Sequence, residues 1–174
     1  MTGFDPGDRP HRLLWLTLVL LTTGCVTPPP PGTPPRPAVG FVSGDARVSQ
    51  YGATGADVLN HPSLAEAVSL LFGPDWARAP GAKTSAAAAE FFSQSSPPHL
   101  LHVGTADYLA VRGCIASRCA THQGLLLVRT DGGELLGRLD EGGYTHYYGR
   151  GLGLEMTPAT RAVLDAAWRA LTSR

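Results

Sequence analysis

From His99 onward the chain breaks into short apolar or alternating runs: "HLLHV", "DYLAVRGC", "QGLLLVRT", "GELLGRLD" and "YTHYYG". Glycine- and aspartate-bearing turns separate most of them. "DGG" at 131–133 is a hairpin signal, and "DEGG" at 140–143 is a second turn. Links this short force neighbouring strands to run antiparallel, because a parallel crossover needs a dozen or more residues. An antiparallel meander is therefore the frame into which the rest of the sequence must fit.

The remaining segments read mostly as helices that can cover such a sheet. In "NHPSLAEAVSLLFGP", Ser63 and Glu66 have the spacing of a capping box, and Leu64, Val68, Leu71 and Phe72 fall on one face. Gly73 can adopt a left-handed stop, and Pro74 prevents continuation. Trp76 is expected to pack over that helix, and "TSAAAAEFF" to form a short second one. "FVSGDARVSQYGATG" reads as one strand followed by a loop. At the C-terminal end Thr157 is a natural N-cap with Pro158 in the first turn. Val163, Leu164, Ala167, Trp168 and Leu171 then make one apolar stripe suited to a sheet face. The expected fold class is α+β, a single domain with an antiparallel β-sheet meander flanked by helices.

The first 38 residues have a different character. Arg9, His11 and Arg12 precede the apolar run "LLWLTLVLL", which has the length of a signal-peptide core rather than of a membrane span. It leads into "LTTGC", which resembles the lipobox of bacterial lipoproteins, with Gly24 before the scissile bond and Cys25 after it. The expected organisation is a lipoprotein signal peptide over 1–24, a lipidated Cys25 with a proline-rich tether over 25–38, and an α+β domain over 39–174. The tether "VTPPPPGTPPRPAVG" favours polyproline II, which at ~3.1 Å per residue holds the domain roughly 35 Å from the membrane. This places the protein in the bacterial cell envelope, lipid-anchored on the periplasmic side of the inner or outer membrane. The 14 basic and 14 acidic residues balance, so nothing draws the chain generally to nucleic acid. The expected partner at this stage is the membrane, through the lipid. The sequence leaves room for a homodimer.

Three cysteines are present. Lipidation of Cys25 leaves Cys114 and Cys119 as a pair in an oxidising compartment, which favours a disulfide-closed loop between two strands. Two alternatives remain open. His99, His102, His122 and His146 lie on or beside the strands and with both cysteines would make a Cys₂His₂ zinc site, although their spacing fits no standard pattern. A redox pair normally uses the tighter Cys-x-x-Cys arrangement. There is no phosphate-cradling glycine motif and no defensible Ser-His-Asp order, so no cofactor, metal or enzymatic activity is expected. In the disulfide reading, closure stiffens Ile115, Ala116, Ser117 and Arg118 into a preformed probe.

The order of helix, tryptophan, strand, C-x-x-x-x-C, apolar strand, turn and strand resembles the Ivy family, inhibitors of vertebrate c-type lysozyme. The region most similar is "DYLAVRGCIASRCATHQGLLLVRTDGGELLGRL", and "SLAEAVSLLFGPDWARAPGA" is similar to the family's helix and following tryptophan. The resemblance covers most of 63–139 and, loosely, the C-terminal helix. It implies an inhibitory loop made of Cys114, Ile115, Ala116, Ser117, Arg118 and Cys119. In the family that loop reads Cys-Lys-Pro-His-Asp-Cys and its histidine meets the catalytic carboxylates of lysozyme. Ser117 stands at the histidine position here and Arg118 at the aspartate position. The implied function is binding and inhibition of a lysozyme, a lytic transglycosylase or another muramidase. The alternatives are a scaffolding envelope lipoprotein and a metal-binding module.

Overall fold

The computed structural model describes residues 35–151 and 156–173. The expected signal peptide, Cys25 and most of the tether lie outside the described residues. All described residues fall within one compact unit.

The sheet has seven strands: β1 (Val39–Val42), β2 (Gln94–Ser95), β3 (His99–Val103), β4 (Ala106–Cys114), β5 (His122–Arg129), β6 (Glu134–Glu141) and β7 (Tyr144–Gly151). Six of them run in the order β1-β3-β4-β5-β6-β7, and the two-residue β2 pairs with the end of β4. Every pairing is antiparallel. The meander expected from the turn signals is the observed topology, and the fold is α+β.

Helices cover both faces of the sheet. On the first lie α1 (Gly55–Asn60), α2 (Ala65–Phe72) and two short 3₁₀ turns, Gly73–Asp75 and Ala88–Phe92. On the second lies α3 (Pro158–Thr172). The strands serve both cores by simple alternation. Leu109, Val111, Leu126, Val128, Leu135 and Leu139 join Val68, Phe72, Phe91 and Phe92 in the first core. Tyr108, Ala110, Leu125, Leu127 and Leu136 join Leu164, Ala167 and Leu171 in the second. This explains the unbroken "LLLV" of β5: a strand covered on both sides has no polar face to alternate. Gly113 and Gly124 let the 3₁₀ turn press directly on the sheet. A Cβ at Gly113 would stand 2.7 Å from the backbone of Phe92, and one at Gly124 2.9 Å from its ring.

Two local expectations are corrected. The capping box is not at Ser63 and Glu66. The chain is already turning there, with Leu64 N–H donating to His61 O, so the Ser63 hydroxyl meets His61 Nδ1 at 2.7 Å instead. A capping box does form one helix earlier, where Thr54 and Asp57 exchange bonds of 3.1 and 2.9 Å at the start of α1. The "TSAAAAEFF" segment also folds as a 3₁₀ turn rather than an α-helix. Trp76 does pack over α2, stacked on Phe72 with ring centres 5.8 Å apart.

Candidate functional site

Cys114 and Cys119 are joined in a disulfide that closes the connection between β4 and β5. The ring is fastened in three further ways. Ile115 N–H donates to His122 O at 3.1 Å, which extends the strand ladder by one more bond. Arg118 N–H donates to Ile115 O at 2.9 Å, and His122 N–H to Arg118 O at 2.8 Å. The Ile115 side chain continues the alternation of Val111 and Gly113 into the first core and is only 6% exposed. The expected four-residue probe is therefore shorter than the sequence suggests. Ala116, Ser117 and Arg118 are exposed, while Ile115 is the anchor beneath them. Ser117 sits at φ 66°, a left-handed conformation that a non-glycine residue rarely adopts, at the bend of the arc.

The arc shares its end of the sheet with the β6–β7 turn. Cross-strand register sets His122 opposite Glu141 and Glu141 opposite Tyr144, and Gly142 N–H donates to Thr121 O at 3.0 Å. The loop and the turn are thus one surface. Arg118 Nη1 lies 3.4 Å from His122 Nε2, and His122 Nδ1 is 2.9 Å from the Thr121 hydroxyl. His122 Nε2 and His146 Nε2 face the two oxygens of Glu141 at 3.8 and 4.0 Å. Glu141 also accepts from Ser85 N–H at 2.9 and 3.1 Å, which straps the 83–85 segment to the sheet.

That strap has a second fastening. Asp75 is buried and accepts bonds from Lys83 N–H, from Thr84 N–H at 3.0 Å and from the Tyr148 hydroxyl at 2.9 Å. Burial by itself would raise the Asp75 pKa. The bonds from Thr84, Lys83 and Tyr148 outweigh it and hold the carboxyl below its ordinary range. Burial, and then the bond to Asp75, push the Tyr148 phenol well above its usual value.

The histidines suggested as zinc ligands do not converge. His99 packs against Phe41, His102 pairs with Asp107 at 2.7 Å, and His122 and His146 flank Glu141. The cysteine sulfurs are bonded to each other. Among the described residues no group of three or more His, Cys, Asp or Glu side chains is arranged to hold a metal ion. Glu141, Lys83 and Tyr144 were not singled out in the sequence. Their proximity depends on register and on the strap, and only the exposed tyrosine after "DEGG" was a visible signal. No family model, curated protein or solved structure matches the chain.

Proposed function

We propose that this protein is a non-catalytic cell-envelope protein that binds and inhibits a peptidoglycan-cleaving, lysozyme-like glycosidase by inserting the 116–118 arc into its cleft. One observation carries this reading. The arc is exposed, yet its ends are fixed by the disulfide, by the buried Ile115 and by backbone bonds. A loop ordered before binding loses little entropy on docking. Arg118 supplies the chemistry: a planar, permanently charged guanidinium suited to bidentate bonding with a carboxylate. Glycosidase active sites present two such carboxylates, at least one of them ionised. The similarity to the Ivy family fits the same role, with Arg118 in place of the family's histidine as the group that meets the acids. The proposal includes export and lipidation at Cys25, which hold the domain at the membrane surface facing the wall.

The direct test is capture of purified muramidases, including a c-type lysozyme and a lytic transglycosylase, by the immobilised protein, together with their residual activity. Saturable one-to-one binding with loss of activity is the expected result. Retention of wall or membrane material alone would assign a scaffolding role instead.

A further inference from the structure

Beside the arc runs a furrow that the inhibitory reading does not use. Its first part, about 490 Å³, is lined by Lys83, Ser85, His122, Glu141, Tyr144 and His146 among others. A second part, about 260 Å³, shares Lys83 and His146 and wraps round β7 to Tyr147 and Arg161. Together they make an elongated depression along the outer strand of the sheet. No described strand pairs with that edge of β7, so its backbone also offers donors and acceptors there.

The chemistry of the lining selects among ligands. A phosphate-bearing ligand would set a double charge, rather than the single charge of a carboxylate, near Glu141, and Gly142 is the one glycine among the lining residues, which makes no backbone cradle. An apolar ligand would find aromatic and aliphatic surface, but would strip water from the Glu141 carboxylate and the exposed Lys83 ammonium without replacing it. What the furrow does offer is aromatic surface, with Tyr144 its most open ring beside the half-buried Tyr147 and Tyr148, amid closely spaced donors and acceptors. Tyr144 is 75% exposed, the most open large hydrophobic residue among the described ones, ahead of Leu70 at 49%. The neighbours of Tyr144 are fixed in place: Glu141 by the bonds from Ser85 N–H, and the 83–85 strap by Asp75. A pyranose ring has matching features, an apolar face of C–H groups to lie on an aromatic ring and a rim of hydroxyls that both donate and accept. The exposed Lys83 lies where both parts of the furrow meet and would suit a carboxylate substituent.

We propose that the β7 furrow binds an oligosaccharide of β-linked amino-sugar units, with Tyr144 as the stacking platform and Lys83 as the group that recognises an acidic substituent. The choice of amino sugars rests on the wall-facing placement proposed above; the furrow adjoins the 116–118 arc through His122, but sugar binding there does not require enzyme inhibition.

The test is calorimetric titration of the intact protein with two probes: chitotetraose, which is neutral, and a tetrasaccharide carrying lactyl carboxylates on alternate amino sugars. Saturable binding of both is expected, tighter for the acidic probe. Tyr144→Ala should weaken both roughly tenfold, the scale of one aromatic contact, whereas Tyr144→Trp should retain them. Lys83→Ala should remove the preference for the acidic probe and leave chitotetraose unchanged. Because Tyr144 is the first residue of β7 and has most of its surface in solvent, melting temperatures should be equal. Absence of saturable binding to either sugar, or equal affinities for wild type and Tyr144→Ala, overturns the proposal. Loss of muramidase capture by Tyr144→Ala with sugar binding intact would also overturn it, and would assign Tyr144 to a protein interface.

Discussion

At the end of the sheet where β3 turns into β4, arginines are held by carboxylates of their own chain. Arg47 pairs with Asp45 at 2.7 Å and with Asp107 at 2.9 Å, and Arg129 with Asp131 at 2.7 Å and Glu134 at 3.7 Å. At the opposite end Arg118 has His122 as its hydrogen-bonding neighbour, and no carboxylate of the described residues pairs with it. The first end is electrostatically satisfied from within. The second keeps an exposed cation without a carboxylate partner among the described residues, on a fastened loop. Surface ion pairs of the first kind add little stability, about 0–1 kcal/mol each. Their main consequence is that those charges have little left to offer a ligand. The difference is why the proposed function puts the partner-binding surface at the second end.

The largest effect expected from breaking this contrast comes from the anchor of the arc. Ile115→Ala removes a buried side chain from the first core and should destabilise the protein by roughly 2–4 kcal/mol in denaturant unfolding. A cost below about 1 kcal/mol would show that the arc is held by the disulfide alone and that Ile115 is not part of the core.

The satisfied end should respond less, and in a pH-dependent way. Bonds from His102 and then Arg47 hold the Asp107 carboxyl below its ordinary range. A depressed carboxylate contributes stability that is present above its unfolded pKa, near 4, and is lost as pH falls through the lower folded value. Asp107→Asn should therefore cost less than about 1 kcal/mol near neutral pH, with the deficit shrinking as the pH is taken below about 4. Chemical denaturation of both proteins from pH 7 to pH 3 reads this. A deficit that grows on acidification contradicts the assignment.

The sheet was legible because its signals are local. Alternation and glycine turns identified β3 to β7, and the Thr157–Pro158 start with its apolar stripe identified α3. The first half was harder to read for physical reasons. At six residues α1 is too short to show a helical period, and its Thr54 cap lies in a glycine-rich stretch that reads as loop. At Ser63 the right residue types stand at the right spacing, but a preceding turn uses the hydroxyl elsewhere. The loop itself was visible in the cysteine spacing, and Arg118 as its one cation. That Ile115 turns inward follows from the ladder continuing one bond past Cys114. That Lys83 and Tyr144 line one furrow follows from strand register and the Asp75 strap, which join residues far apart in sequence.

The smallest effect on stability should come from Arg118, whose side chain reaches into solvent, and this is where function should respond most. Inhibition constants of wild type and Arg118→Ala against the same muramidase, with a thermal melt of each, test the account most directly. Equal melting temperatures with inhibition weakened by about 2–3 kcal/mol, or roughly 30- to 150-fold, are expected for loss of a charge-assisted hydrogen bond to an active-site carboxylate. Equal inhibition by the two proteins would contradict the claim that the arc acts through this charge.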